Sequence, residues 1–109
     1  MKTMKLKLIL LFVCCNVFLL KASQVDTVFV KSESMSKSIA KIVILPDSYA
    51  SQKESFPVLY LLHGAGGNHT DWISKVPAIK EYADQYNMII VCPDGNATSW
   101  YFDSPVDEK

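Results

Sequence analysis

The chain has 109 residues, of which half are hydrophobic, with eleven Lys, no Arg and eleven Asp or Glu. This length allows one small domain and excludes a two-domain enzyme within these residues. Four of the Lys precede residue 24, so residues 24–109 carry seven Lys against eleven acids, a net charge of −4. That charge argues against a nucleic-acid-binding protein, and the apolar content argues against a disordered chain.

Residues 1–23 have the organisation of a secretory signal peptide. Met1–Lys7 contains three Lys and no acid, and the apolar run Leu8–Leu20 follows it. That run has 13 residues, whereas a membrane-spanning helix needs about 20. The small residues Ala22 and Ser23 each offer a cleavage point, and the choice between them stays open. We therefore predict an exported protein, periplasmic or extracellular, with no stable membrane insertion after signal cleavage.

Two of the three cysteines, Cys14 and Cys15, lie in the predicted signal peptide, where lipidation is an alternative to simple cleavage. Cys92 is then the single thiol of residues 24–109, so no internal disulfide is expected. Its apolar neighbours do not supply the positive charge that activates a thiol. The sequence therefore predicts that Cys92 is a buried small hydrophobic residue.

The pattern of residues 24–109 predicts the N-terminal part of an α/β fold. The Val- and Ile-rich segments Val25–Lys31 and Ser38–Leu45 flank a short polar stretch, which is typical of an antiparallel hairpin. The unbroken apolar runs Val58–Leu62 and Met88–Cys92 are typical of parallel strands that are covered on both faces.

A helix is predicted between those two runs. Ile79, Tyr82, Ala83 and Tyr86 recur at the spacing of one apolar helix face, and Asn87 is a suitable C-terminal stop. Strand, helix and strand then form a parallel βαβ unit. The predicted fold is therefore an α/β-hydrolase-like hairpin leading into a βαβ unit, with an incomplete sheet.

A glycine-rich segment, His63-Gly64-Ala65-Gly66-Gly67, directly follows Val58–Leu62. Three glycines in four positions at the carboxyl end of a strand indicate a tight turn with N–H groups free to bind an anion. A phosphate loop would need a Lys that is absent here, and the dinucleotide fingerprint fails because His69 stands where its third glycine belongs. An oxyanion hole for acyl transfer remains.

The motifs around this segment resemble the opening half of an esterase family of α/β-hydrolases. They are Leu61-Leu62-His63-Gly64 with the following glycines, Asp71-Trp72, Pro93-Asp94-Gly95 and Ser99-Trp100-Tyr101. The family includes S-formylglutathione hydrolase (esterase D), tributyrin esterase, and feruloyl and acetylxylan esterases. The resemblance covers about residues 25–107 and implies a serine carboxylic-ester hydrolase with an acyl-enzyme mechanism. It implies no metal and no organic cofactor, and an ester substrate that could be an acylated carbohydrate.

The resemblance also implies the roles of individual residues. The Ala65 N–H would be one oxyanion donor, with the Gly66 N–H as the nearby alternative. The substrate-binding residues would be His63, Trp72, Asp94, Trp100 and Tyr101. For Trp72, packing in the core is an equal alternative, and His63 is expected to be hydrogen-bonded at the strand end and not a base. His69 is expected to be exposed and inert.

The family's nucleophilic serine, in a G-x-S-x-G motif, is absent from these 109 residues. The four glycines stand at 64, 66, 67 and 95, and none has Ser two residues later. We therefore predict that this chain alone is a fragment without ester turnover. Because the nucleophile strand of the family would pair with Val58–Leu62, residues 24–109 alone are also expected to be poorly soluble or partly folded.

The same residues are compatible with other functions. A non-catalytic, exported carbohydrate-binding or interaction module could stack sugars on Trp72, Trp100 and Tyr101. The sequons at Asn68 and Asn96 suggest glycosylation, but they lie in the predicted cleft loops and are expected to be coincidental. A metal or glycosidase-like site of Asp71, Asp94 and Asp103 is not favoured, because acids are common at turns. The oligomeric state stays open.

Overall fold

The computed structural model describes residues 23–98 and Tyr101. The predicted signal peptide before residue 23, and Trp100, therefore lie outside the described residues. The elements in chain order are β1 (Gln24–Ser32), β2 (Lys37–Leu45), a 3₁₀ turn (Asp47–Ala50), β3 (Val58–Tyr60), α1 (Asp71–Lys75), α2 (Ile79–Gln85) and β4 (Ile89–Pro93).

The strands form one mixed sheet in the order β1-β2-β4-β3. β1 and β2 pair antiparallel from Gln24 opposite Leu45 to the turn, and β2 pairs antiparallel with β4. β3 and β4 pair in parallel, with Val58 opposite Ile89, and both helices lie between them in the chain. The predicted fold, a hairpin leading into a parallel βαβ unit with an incomplete sheet, is confirmed.

The prediction that both parallel strands are buried is confirmed for β4 and is wrong for β3. Ile90, Val91 and Cys92 of β4 are buried, whereas Leu59 and Tyr60 of β3 are 41% and 63% exposed. The reason is position, because β3 is at the edge of the described sheet and pairs only with β4. Burial of apolar strand residues requires a layer on their face and a neighbour beside them.

The core lies between α2, β2 and β4. It consists of Ile42 and Ile44 from β2, Ile79 and Ala83 from α2, and Ile90 and Cys92 from β4. Alternation along β2 places Ile42 and Ile44 on one face, as the period of a strand requires. Cys92 is 1% exposed, which confirms its prediction as a buried residue, and burial raises the pKa of its thiol.

The predicted apolar face of α2 is wider than the observed one. Ile79 and Ala83 are buried, but Tyr82 and Tyr86 remain about half exposed and face each other with ring centroids 6.3 Å apart. The helix has only seven residues, so it covers the sheet with two turns.

The helix α2 stops where the sequence predicted. Asn87 has a φ of +48°, its N–H donates to the Asp84 carbonyl, and the Met88 N–H donates to the Ala83 carbonyl. This pair of bonds is a Schellman motif, which favours a residue such as Asn at the left-handed position. It turns the chain directly into β4.

Between residue 23 and residue 98, and at Tyr101, no helix combines the length and apolar character needed to cross a lipid bilayer.

Candidate functional site

Two loops meet at one edge of the sheet. The glycine loop, residues 63–70, follows β3, and the second loop, residues 94–98, follows β4. Because β3 and β4 are parallel neighbours, their carboxyl ends lie side by side, which is where α/β folds bind ligands. The predicted site residues of the two motifs are thereby brought together.

The glycine loop contains a type II turn. The Gly67 N–H donates to the Gly64 carbonyl at 3.1 Å, Gly66 has a φ of +76°, and Ala65 has a negative φ. A positive φ at the third position alone is the signature of type II and requires glycine or asparagine there. The turn therefore explains Gly66, and it places Ala65 at the second position, where φ is about −60°.

The two amides predicted as oxyanion donors are in different states. The Gly66 N–H donates to the Ala97 carbonyl at 2.8 Å. The Ala65 N–H has no acceptor among the residues that the structure describes. In this arrangement the Ala65 amide is therefore the one open to a ligand.

Both ring nitrogens of His63 form hydrogen bonds to the backbone. Its Nδ1 lies 2.8 Å from the Gly64 carbonyl oxygen, and its Nε2 accepts from the Gly95 N–H at 2.9 Å. A carbonyl can only accept and an amide can only donate, which assigns the neutral Nδ1–H tautomer. The side chain is 2% exposed. The Asp94 carboxylate, 3.8 Å away, therefore faces a neutral ring.

Asp94 joins the two loops through its carboxylate. Its Oδ2 lies 2.8 Å from Nδ1 of His69, and its Oδ1 accepts from the Asn96 N–H at 2.9 Å. Burial alone would raise the pKa of Asp94, but the bonds from His69 and Asn96 outweigh it and hold the pKa below 3.8. Asp94 is thus a carboxylate at neutral pH, and both its oxygens have partners.

Tyr101 packs over this junction. Its hydroxyl accepts from the His63 N–H at 3.3 Å and donates to the Pro93 carbonyl at 3.1 Å. The ring meets the His63 ring edge-on, with centroids 5.3 Å apart, and lies on the backbone of Gly95. A Cβ at Gly95 would be 2.5 Å from the Tyr101 ring. Glycine at 95 is therefore what admits the aromatic ring.

Trp72 lies on α1 and ties that helix to the end of β3. Its indole N–H donates to the Leu62 carbonyl at 3.0 Å, and its ring packs against the core. These contacts correspond to the alternative in which Trp72 packs in the core.

Asp71, on the same helix, accepts a hydrogen bond from Lys75 at 2.6 Å, which lowers the pKa of Asp71. Its carboxylate also lies against the buried Gly67, where a Cβ would overlap it.

Sequence reasoning missed the part that His69 and Ala97 play. His69 was expected to be exposed and inert, yet its ring bonds Asp94, and the Ala97 carbonyl holds the glycine loop. The signal was present in the predicted βαβ unit, since adjacent parallel strands bring their following loops together. No spacing rule, however, pairs particular residues across two loops.

Comparison with known proteins identifies relatives of this chain. The family profile described as "Putative esterase" matches residues 32–109. Esterase Rv1288 of Mycobacterium tuberculosis (strain H37Rv) is 37% identical over 59 residues, which are 54% of this chain and 13% of that protein. The acetyl esterase of Caldicellulosiruptor saccharolyticus is 32% identical over 85 residues, 72% of this chain and 31% of that protein.

A solved structure is similar as well. A ferulic acid esterase matches with a TM-score of 0.67 and 30% sequence identity, over 77% of this chain and 36% of that one. The chain thus spans from about an eighth to about a third of the length of these three relatives.

Proposed function

This chain belongs to the esterase family of α/β-hydrolases, and we propose that it forms the N-terminal part of an exported serine carboxylic-ester hydrolase. The observation that carries the proposal is the open N–H of Ala65 in the type II turn after β3. An amide held in that way, at the carboxyl edge of a parallel sheet, suits the binding of a developing negative charge.

The proposed reaction passes through an acyl-enzyme. A serine hydroxyl attacks the ester carbonyl carbon, its proton passes to a histidine, and the carbonyl oxygen becomes an oxyanion. The Ala65 N–H donates to that oxyanion, together with the N–H that follows the nucleophile. The alcohol leaves with the proton, and water then releases the acid and restores the serine. The serine, the histidine and its acidic partner would come from residues of the protein outside these 109.

The substrate that we propose is an ester between a small or aromatic acid and a carbohydrate hydroxyl. Two relatives are described as an acetyl esterase and a ferulic acid esterase, which supports acyl groups of these kinds. Export favours a polymer-borne ester over a cytosolic thioester. We also propose that Asp94, His63 and Tyr101 shape the wall beside the oxyanion donor.

Export is proposed from the predicted signal peptide, residues 1–23. N-terminal sequencing of the protein recovered from outside the cytoplasm is expected to begin at Ser23 or Gln24. Recovery only with an intact Met1–Lys7 would contradict cleavage, and a blocked N-terminus at Cys14 or Cys15 would indicate lipidation.

The experiment that tests the activity uses the full-length product of the reading frame that encodes these residues. We expect hydrolysis of p-nitrophenyl acetate and methyl ferulate, and stoichiometric labelling by a fluorophosphonate that abolishes turnover. Residues 24–109 alone are expected to show neither. Absence of both hydrolysis and labelling in the full-length product, with retained affinity for acetylated xylan, would favour the non-catalytic carbohydrate-binding module.

A further inference from the structure

We propose that His69 is a positioning residue for the oxyanion loop: by bonding Asp94 it couples the glycine loop to the second loop and fixes the type II turn. This inference rests on the proposed function for its catalytic consequence. The coupling itself is a property of the fold and is measurable without activity. It gives both His69 and Asp94 a role in loop coupling, whereas the sequence predicts an inert His69 and the family resemblance implies a substrate-binding Asp94.

The first step is the contact between the loops. Nδ1 of His69 and Oδ2 of Asp94 are 2.8 Å apart, and the two side chains are 22% and 23% exposed. Since the carboxylate is charged at neutral pH, it accepts a charge-assisted bond from a protonated Nδ1. The residues are 25 positions apart in sequence, so this bond constrains two separate segments.

The second step runs through the turn that begins at Asp94. Its other oxygen, Oδ1, accepts from the Asn96 N–H, and Asn96 has a φ of +63°. Asn and Asp tolerate this left-handed conformation and stabilise such turns with their side chains. The turn directs the Ala97 carbonyl at the Gly66 N–H, 2.8 Å away. The Asp94 carboxylate that bonds His69 therefore also positions the Ala97 carbonyl.

The third step is the effect of Ala97 on the glycine turn. Type I and type II turns differ by a rotation of about 150° of the central peptide, here the Ala65–Gly66 peptide. In that rotation, the Gly66 N–H and the Ala65 carbonyl would each move to the side of the turn that the other now occupies. In the rotated state the Ala65 carbonyl would face the Ala97 carbonyl, and the Gly66 N–H would lose its acceptor. The bond from the Gly66 N–H to the Ala97 carbonyl therefore stabilises the type II turn relative to type I.

The consequence concerns the neighbouring amide. The Ala65 N–H can act on an oxyanion only if it is held within about 3 Å of it. A loop that alternates between two turn types holds that donor less accurately, and a misplacement of about 1 Å costs up to about 100-fold in rate. His69 would thus act on the rate through Asp94, Asn96 and Ala97, with no contact to substrate.

The test compares His69→Ala with His69→Asn in the full-length product. The amide nitrogen of Asn occupies nearly the place of Nδ1, so His69→Asn preserves a donor to Asp94. For p-nitrophenyl acetate, His69→Ala is expected to lower kcat about 10- to 100-fold with KM nearly unchanged, and His69→Asn to recover most of that loss. A rise in KM with kcat unchanged would instead make His69 a substrate contact and overturn the proposal.

A second readout does not depend on activity. Ala65–Gly66 is the only Ala–Gly step within these 109 residues. In the full-length product, ¹³C′-alanine and ¹⁵N-glycine labelling therefore identifies the Gly66 amide as the signal that Ala65→Ser removes. Hydrogen exchange of this amide is expected to accelerate in His69→Ala and to slow again in His69→Asn. Unchanged exchange in His69→Ala would overturn the coupling. If the wild-type protein shows this coupling but no esterase activity, the proposed function fails while the loop coupling stands.

Discussion

The Gly95 N–H donates to Nε2 of His63 at 2.9 Å, and this bond joins the loop after β4 to the first residue of the glycine loop. Nδ1 of the same neutral ring donates to the Gly64 carbonyl. The ring therefore links the second loop to Gly64 as well. Together with the Gly66–Ala97 bond, it makes the two loops one hydrogen-bonded unit.

Gly95→Ala is expected to destabilise the protein, and Gly64→Ala is the matched control. A Cβ at Gly95 would lie 2.5 Å from the Tyr101 ring, whereas a Cβ at Gly64 would meet nothing within 4 Å. Overpacking of this kind costs about 1–3 kcal/mol of unfolding free energy, and an unopposed surface change costs about 0.5 kcal/mol or less. Urea unfolding of both variants of the full-length product measures the difference. Equal stability of the two would show that Tyr101 does not pack on Gly95.

Asp94→Asn is expected to destabilise the protein at neutral pH but not in acid. The pKa of Asp94 lies below 3.8 in the folded protein, whereas an unfolded Asp titrates near 3.9. The charged form is therefore favoured by folding, so its stabilisation is present above the unfolded pKa and is lost as the pH falls through the folded pKa. The Asn amide oxygen still accepts from the Asn96 N–H, whereas the Asn NH₂ replaces the acceptor of the His69 bond, so the variant removes the charge together with that bond.

The measurement is the difference in unfolding free energy between wild type and Asp94→Asn at a series of pH values. It is expected to shrink as the pH falls below about 4. A difference that does not depend on pH would mean that the Asp94 charge takes no part in holding His69.

Cys92 is expected to be unreactive in the folded protein. It is 1% exposed, and burial raises the pKa of its thiol above 9.0, so little thiolate is present at neutral pH. Iodoacetamide at pH 7.5, followed by peptide mass mapping, is expected to leave Cys92 unmodified until urea unfolds the protein. Rapid native alkylation would contradict its place in the core.

Residues 24–109 alone are expected to self-associate through β3. Tyr60 is 63% exposed on this edge strand, next to the exposed Val58 and Leu59. A flat apolar edge pairs with other chains, and a Lys on it opposes that pairing. Tyr60→Lys is therefore expected to reduce association in sedimentation velocity. Tyr86→Lys, which changes an equally large exposed ring on α2, is the control and is expected to leave association unchanged.

The sequence predicted the antiparallel hairpin and the parallel βαβ pair because the patterns of these strands differ, but it did not predict the antiparallel pairing of β2 with β4. Hairpin strands rich in β-branched residues and continuous apolar runs are local signals, and so is the stop at Asn87. The exposure of Tyr60, Tyr82 and Tyr86 could not be predicted, because it depends on which layers cover β3 and α2. Periodicity reports which residues can be buried but not what lies against them.

The site was predictable to the level of its loops. Glycines after a strand indicated open amides, and the family resemblance gave Ala65 and Gly66. Which of these amides is engaged was decided by Ala97, whose carbonyl has no sequence signature. The same applies to the tautomer of His63, which depends on a donor from Gly95 that is 32 residues away.

The central claim is that the Ala65 N–H stabilises an oxyanion, and Ala65→Pro tests it most directly. Proline is favoured at the second position of a type II turn, so the change removes this N–H while keeping the turn. Ala65→Ser keeps the N–H and is the reference. In the full-length product, kcat for p-nitrophenyl acetate is expected to be about 100-fold lower in Ala65→Pro than in Ala65→Ser, with equal melting temperatures. Equal kcat values in two equally stable variants would contradict the claim.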